Sequence, residues 1–221
     1  MVTTASLEIA TASIKNPGQT QSPLPKAESK SFPTLYVFRH GETFYNRRRL
    51  FCGQHNSYLT PQGKKQSQAL AKKLQAKKID LGITPDLTRC TMTLQLALAN
   101  YHPGVEVKIE KRLRERDYGK LTHQSKIAWA KRHPELTLKY RRSWDFPPPG
   151  GESLKDVWVK RIRPFCEDIE KQMRREKINV AVSCTNNTMR LIRMYFEKLT
   201  IPEMLSLENP LGEDYAAYTI R

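Results

Sequence analysis

Apolar positions along the chain alternate between two periods, from short runs of adjacent residues to helical spacing and back. Residues 35–38 form a buried-looking apolar run rich in β-formers that gives way abruptly to polar residues, the pattern of a parallel strand ending in a functional loop. Thr60 followed by Pro61 supplies an N-cap and a first-turn proline for a helix predicted to reach about Lys77, with Leu70 and Leu74 on its inner face. A strand over 79–83, a helix over 88–101 and the alternating Val105, Val107 and Ile109 of a further strand follow. After a loop-rich stretch, Ser153 begins a long helix whose Leu154, Val157, Trp158, Ile162, Phe165, Ile169 and Met173 read as a core stripe. A second apolar strand at 178–182 runs into a polar turn, 183–188, that opens a helix through Leu191, Ile192 and Phe196, and 215–220 reads as a last strand.

This alternation predicts an α/β three-layer sandwich, a mostly parallel central sheet flanked by helices, with ligands gathering beyond the carboxyl ends of the strands. Residues 1–32, rich in Thr, Ser, Ala, Pro and Gln, lack the apolar content of a core and are expected to be a disordered tail, leaving 33–221 as one domain. A transit peptide is the rival reading of the tail, weakened by the lack of Arg and by Glu8 and Glu28. No secretory signal pattern or membrane-length apolar run is visible, so no membrane partner is expected.

Charge changes the picture next. Thirty-eight Lys and Arg against 22 Asp and Glu give +16, which favours anionic partners. The excess sits in the middle of the chain, while the segment 198–221 leans acidic. Lys64, Lys65, Lys72, Lys73, Lys77 and Lys78 read as a solvated helix face, and no nucleic-acid-binding module or interleaved aromatic motif accompanies them. Nucleic acid is therefore not an expected partner. Cys52, Cys90, Cys166 and Cys184 have no zinc-like spacing and read as free thiols of a cytoplasmic protein, with no metal expected.

The strand at 35–38 delivers Arg39, His40, Gly41, Glu42 and Thr43 to the sheet's carboxyl edge. A neutral His is a nucleophile, an adjacent Arg offers a bidentate fork for phosphate oxygens, and Gly lets backbone come close to a ligand. R-H-G-E-T followed by Asn46 resembles the signature of the histidine phosphatase superfamily, whose best-known branch is the 2,3-bisphosphoglycerate-dependent phosphoglycerate mutases. Arg89 in T-R-C-T-M-T, the L-R-E-R-D-Y-G-K-L-T of residues 113–122, Lys126, and the Y-R-R-S-W-D-F-P-P-P of 140–149 are similar to further segments of that branch.

The resemblance implies that His40 becomes phosphorylated while Arg39 and Arg89 hold the transferring phosphoryl oxygens, with Glu115 as general acid and base. It implies substrate-binding roles for Asn46, Cys52, Gly53, Tyr118, Lys126, Arg141, Arg142, Asn186 and Asn187. The substrate would be a small phosphorylated metabolite, foremost phosphoglycerate, and 2,3-bisphosphoglycerate would prime the site with no permanently bound cofactor. Homo-oligomerisation is left open. On composition alone Arg141 and Arg142 are a solvated basic pair.

The pattern breaks where the superfamily usually has a second His: aligning Asn187 and Arg190 puts Thr185 at that position. A threonine cannot carry positive charge, so a donor to the transferring phosphoryl is weakened or lost. Cys184 beside it reads as a buried strand-end thiol. The P-P-P segment also leads through Gly150 and Gly151 directly to Glu152, without the insertion that often caps the site in mutases. Mutase, phosphatase on small phosphorylated metabolites, and impaired phosphate-binding regulator are the three functions this sequence supports, in that order.

Overall fold

The computed structural model describes Ile14 and residues 23–221. Strand β1 (Thr34–Arg39) is buried along its whole length, as an uninterrupted apolar run in a covered sheet must be. Helix α1 (Phe44–Arg47) is closed at its start by Thr43 and Asn46 in a reciprocal capping box. Helix α2 (Pro61–Leu74) begins where Thr60 and Pro61 place it: the Thr60 hydroxyl accepts a hydrogen bond from Gly63 N, and Leu70 and Leu74 face the core. Its Lys64, Lys65, Lys72 and Lys73 are exposed.

Strand β2 (Leu81–Thr84), helix α3 (Thr88–Leu98) and strand β3 (Glu106–Ile109) follow. Helices α2 and α3 stop at Leu74 and Leu98, short of the ends their apolar patterns suggest, because the chain tightens into turns with Lys77 N bonded to Leu74 O and Tyr101 N to Leu98 O. The stretch that reads as loop contains two helices, α4 (Lys126–Arg132) and α5 (Pro134–Arg142). Their charged sequences hide the helical period, although Ser125 capping Ala128 N and Pro134 in the first turn of α5 are ordinary start signals.

Helix α6 (Leu154–Val157) passes through a π-helical turn at Trp158–Ile162 into α7 (Arg163–Glu176), and the expected stripe from Leu154 to Met173 is buried apart from a partly covered Trp158. Strand β4 (Val180–Cys184), helices α8 (Asn186–Glu197) and α9 (Ile201–Ser206), and strand β5 (Ala216–Thr219) complete the domain.

The sheet order is β3-β2-β4-β1-β5, parallel except for β5, which runs antiparallel to β1. Alternate side chains of the strands enter opposite cores. Leu35, Val37, Ile83 and Val182 pack with Leu154, Phe165, Ile169, Leu191 and Ile192, whereas Tyr36, Phe38 and Ala181 pack with Leu70, Leu74, Leu94 and Leu98. This is the three-layer α/β sandwich expected from the pattern. Strand β3, at the sheet's edge, is exposed at every position.

Packing begins ahead of residue 33: Leu24 is buried in the first core, and Pro25 and Ala27 exchange backbone hydrogen bonds with Ala217. Ile14 apart, residues 1–22 of the expected tail lie outside the described residues. Among the described residues no helix is long and apolar enough to cross a membrane, and all four cysteines are free thiols.

Candidate active site

Strands β1 and β4 lie in register, with Arg39 opposite Cys184, so His40 and Thr185 leave the sheet side by side at its carboxyl edge. His40 N donates to Cys184 O at 3.0 Å, which fixes the start of the loop. The His40 ring is buried, and its Nδ1 lies 2.7 Å from Gly41 O. A carbonyl can only accept, so Nδ1 carries the proton and Nε2 keeps its lone pair. Burial, reinforced by the charges of Arg89 and Arg39, holds the imidazole pKa well below its ordinary value, and the ring is neutral at pH 7. A fixed tautomer and a neutral ring are what a nitrogen nucleophile needs.

Gly41 serves packing more than close approach to a ligand. A Cβ there would lie 2.4 Å from Gly63 O, and one at Gly212 would lie 2.6 Å from Gly41 Cα. The loop is thus pressed between the start of α2 and the segment before β5.

The pocket around His40 is lined by Ile14, Arg39, Thr43, Asn46, Arg49, Cys52, Gly53, Arg89, Glu115, Tyr118, Lys126, Arg141, Asn186, Asn187, Arg190 and Glu208. Six cationic side chains therefore face two carboxylates, an imbalance that suits an anionic ligand. Arg89, on the first turn of α3, donates to His55 O and Gly53 O, both at 2.8 Å, and so is aimed chiefly by backbone. Arg39 donates from Nη1 to Asn209 O at 2.9 Å, and its buried Nε has no partner among the described residues. The Asn46 carbonyl oxygen is taken by Thr43 N and Oγ1, which leaves the amide nitrogen as donor to the pocket.

Glu115 Oε1 accepts from Arg116 N at 2.7 Å and from Asn187 Nδ2 at 2.9 Å. The loop that carries it is braced by Glu152, whose Oε2 accepts from Asp117 N and Arg161 Nη2. Half-buried Lys126 has its pKa lowered to about 7, through loss of water around the ammonium and the nearby charges of Arg141 and Arg39. Cys52 touches Arg89 Nη1 at 3.5 Å, and burial raises its thiol pKa, so the thiol form persists at neutral pH.

Two sequence-predicted residues are placed off the pocket. Thr185 is fully buried and donates to Thr188 Oγ1 at 3.0 Å, away from the lining. Arg142 donates from Nη1 to Leu205 O at 2.7 Å and from Nη2 to Glu208. Five lining residues beyond the expected set are Thr43, Arg49, Arg190, Glu208 and Ile14. Arg190 was visible as the last residue of the motif at 183–190, but Glu208 stands in a segment with no motif. Ile14, buried against Ala130, comes from a stretch whose composition suggests no packing at all.

A buried neutral imidazole with its lone pair turned to an arginine-lined pocket defines a phosphoryl-transfer site on a three-layer α/β scaffold. The comparisons with known proteins agree. The sequence profile of the histidine phosphatase superfamily (branch 1) matches residues 35–220, and the chain belongs to that superfamily. A 2,3-bisphosphoglycerate-dependent phosphoglycerate mutase of Brucella melitensis is 37% identical over 183 residues, covering 81% of this chain and 88% of the Brucella protein. The mutase of Brucella ovis is 36% identical over the same shares. Among solved structures, a mycobacterial glucosyl-3-phosphoglycerate phosphatase superposes with a TM-score of 0.72 at 22% identity, covering 84% of this chain and 92% of the other. The α-ribazole phosphatase of Shigella flexneri gives 0.72 at 21%, covering 85% and 94%. At these identities the structural likeness speaks for the fold.

Proposed function

We propose that this protein transfers phosphoryl groups through a phosphohistidine at His40, on a small phosphorylated acid of the phosphoglycerate class, and that it interconverts 2- and 3-phosphoglycerate. The carrying observation is the neutral His40, its Nδ1 proton held by Gly41 O and its Nε2 open to the cationic pocket. Relatives that are mutases at 37% identity support the substrate class.

In this reading Arg39, Arg89 and the Asn46 amide hold the phosphoryl oxygens while Nε2 attacks phosphorus. The P–O bond breaks as the P–N bond forms, and Glu115 gives its proton to the departing oxygen. Both donors to Glu115 use Oε1, so the proton is exchanged at Oε2. In the second half an incoming hydroxyl loses its proton to Glu115 and takes the phosphoryl from Nε2. Positioned arginines supply the charge stabilisation that the transfer requires. A first phosphoryl from 2,3-bisphosphoglycerate loads the site.

A second reading, hydrolysis of the phosphohistidine by water, draws on Thr185 turned to Thr188 and on Arg142 engaged by Glu208. One incubation tests both. With 2,3-bisphosphoglycerate, intact mass should show one added acid-labile phosphoryl on the wild type and none on His40→Ala. Adding 3-phosphoglycerate should then yield 2-phosphoglycerate, whereas free phosphate alone would make the protein a phosphatase. Equal labelling of wild type and His40→Ala would refute the intermediate.

A further inference from the structure

Glu208 is the feature of the pocket that phosphoryl chemistry leaves unexplained. Besides Glu115, which has a role in the chemistry, it is the carboxylate among the lining's cations, and it comes from the segment between α9 and β5. Its Oε1 accepts from Arg190 Nη2 at 3.0 Å and also from Arg142 Nη2. Burial acts to raise the Glu208 pKa, but Arg190, Arg142 and Arg39 outweigh it and hold the group ionised.

An arginine turned into an anion-binding pocket is a ligand-binding group unless something already neutralises it. Glu208 does that for Arg190, which lines the pocket, and it also holds Arg142, which stands just behind the lining. The bland alternative is a structural ion pair that keeps the 205–209 segment in place. The hydrogen bonds argue against it, because that segment is anchored without the carboxylate. Arg142 donates to Leu205 O, Arg190 to Leu207 O, Arg39 to Asn209 O and Arg193 to Asn209 Oδ1, at 2.7 to 3.0 Å. Arg190 is also tied to Asn187 Oδ1 at 3.3 Å. The carboxylate can leave by a side-chain rotation while the wall stays.

We propose that Glu208 is a specificity-determining residue: its carboxylate occupies, on Arg190 and Arg142, the place of a substrate's second anionic group, so a two-anion ligand must displace it and a lone phosphate need not. The proposal rests on the pocket being a site for small phosphorylated acids. It makes Glu208 a brake on phosphoglycerate-type ligands relative to compounds with one phosphoryl group.

The test is calorimetric titration of the full chain with 3-phosphoglycerate and, separately, inorganic phosphate, for wild type, Glu208→Gln, and Glu208→Gln combined with Arg142→Gln. The ratio of the phosphate Kd to the phosphoglycerate Kd should rise about tenfold in Glu208→Gln, the scale of one close charge contact. The rise should shrink when Arg142 is also neutral. If Glu208→Gln fails to melt cooperatively, Glu208→Asp, which retracts the charge, should show a smaller rise. An unchanged ratio with both anions bound overturns the proposal alone, as does a rise that persists in full without Arg142. Failure of wild type to bind either anion overturns the reading of the pocket and the proposal with it.

Discussion

Replacing Thr185 by His tests what the missing second histidine costs. Thr185 stands at the N-cap position of α8 beside His40, fully buried, with its hydroxyl bonded to Thr188 Oγ1 instead of to a helix N–H. An imidazole there loses a hydrogen bond worth about 1 kcal/mol and either overpacks the site at roughly 1–3 kcal/mol or turns into the pocket. The fold should therefore lose about 1 kcal/mol if the ring turns into the pocket and about 2–4 kcal/mol if it overpacks, which for a chain of 221 residues lowers Tm by roughly 2–16 °C. A ring that reaches the transferring phosphoryl adds a donor worth roughly 2.7–4 kcal/mol, or about 10²- to 10³-fold in kcat. The gain should appear in turnover far more than in phosphate affinity, because the new contact is strongest in the transition state. Rapid-quench measurement of phosphohistidine formation and decay, alongside thermal melts, reads both effects. Unchanged turnover in a variant that melts cooperatively within the expected range would refute the placement of the family's second histidine at Thr185.

Lys126, with its pKa lowered to about 7, is charged below that pH and neutral above it, so an anionic ligand that needs the charge should bind less tightly as pH rises through 7. Phosphoglycerate binding at pH 8 should therefore take up a proton, read as a dependence of the calorimetric enthalpy on buffer ionisation heat, and Lys126→Arg should abolish that uptake; equal uptake in both would clear Lys126 of the role. Gly41→Ala should destabilise the fold by more than about 2 kcal/mol, since its methyl meets the backbone oxygen of Gly63 at 2.4 Å with no flexible side chain to yield. A melt of Gly41→Ala matching wild type would show that the α2 start can retreat.

What the sequence made legible follows the range of each interaction. The β1 run and the R-H-G beyond it are local: a buried strand, a sharp polar break and a nucleophile within six residues, so both element and chemistry could be read. Glu115 and Arg89 became visible only through motifs, because the groups that complete their geometry, the Asn187 amide and the His55 and Gly53 backbone carbonyls, are distant in the chain. Helices α4 and α5 stayed hidden because they are short and their charged residues interrupt the apolar ones that would mark a period, even though these helices carry Lys126 and Arg141 to the pocket. Glu208 was beyond reach. Only the tertiary fold brings the acidic-leaning end of the chain against Arg142 and Arg190.

The basic excess takes a different meaning once burial is known. Read along the sequence, +16 suggests a surface for polyanions. In the fold, Arg39, Arg89, Arg116, Arg190 and Arg193 are all at most 5% exposed, while among the described residues Glu115, at 8%, is the one buried carboxylate. Of these arginines, Arg39, Arg89 and Arg190 line the cleft, so part of the positive charge is held within low-dielectric walls and acts on groups small enough to enter. The lysines of α2, by contrast, stand in water, where salt screens them and where Lys73 is met by Asp214. Field strength is therefore concentrated where His40 presents its lone pair, which favours a compact anion over an extended one and makes the carboxylate of Glu208, inside that cleft, the residue best placed to set how much negative charge a ligand can bring.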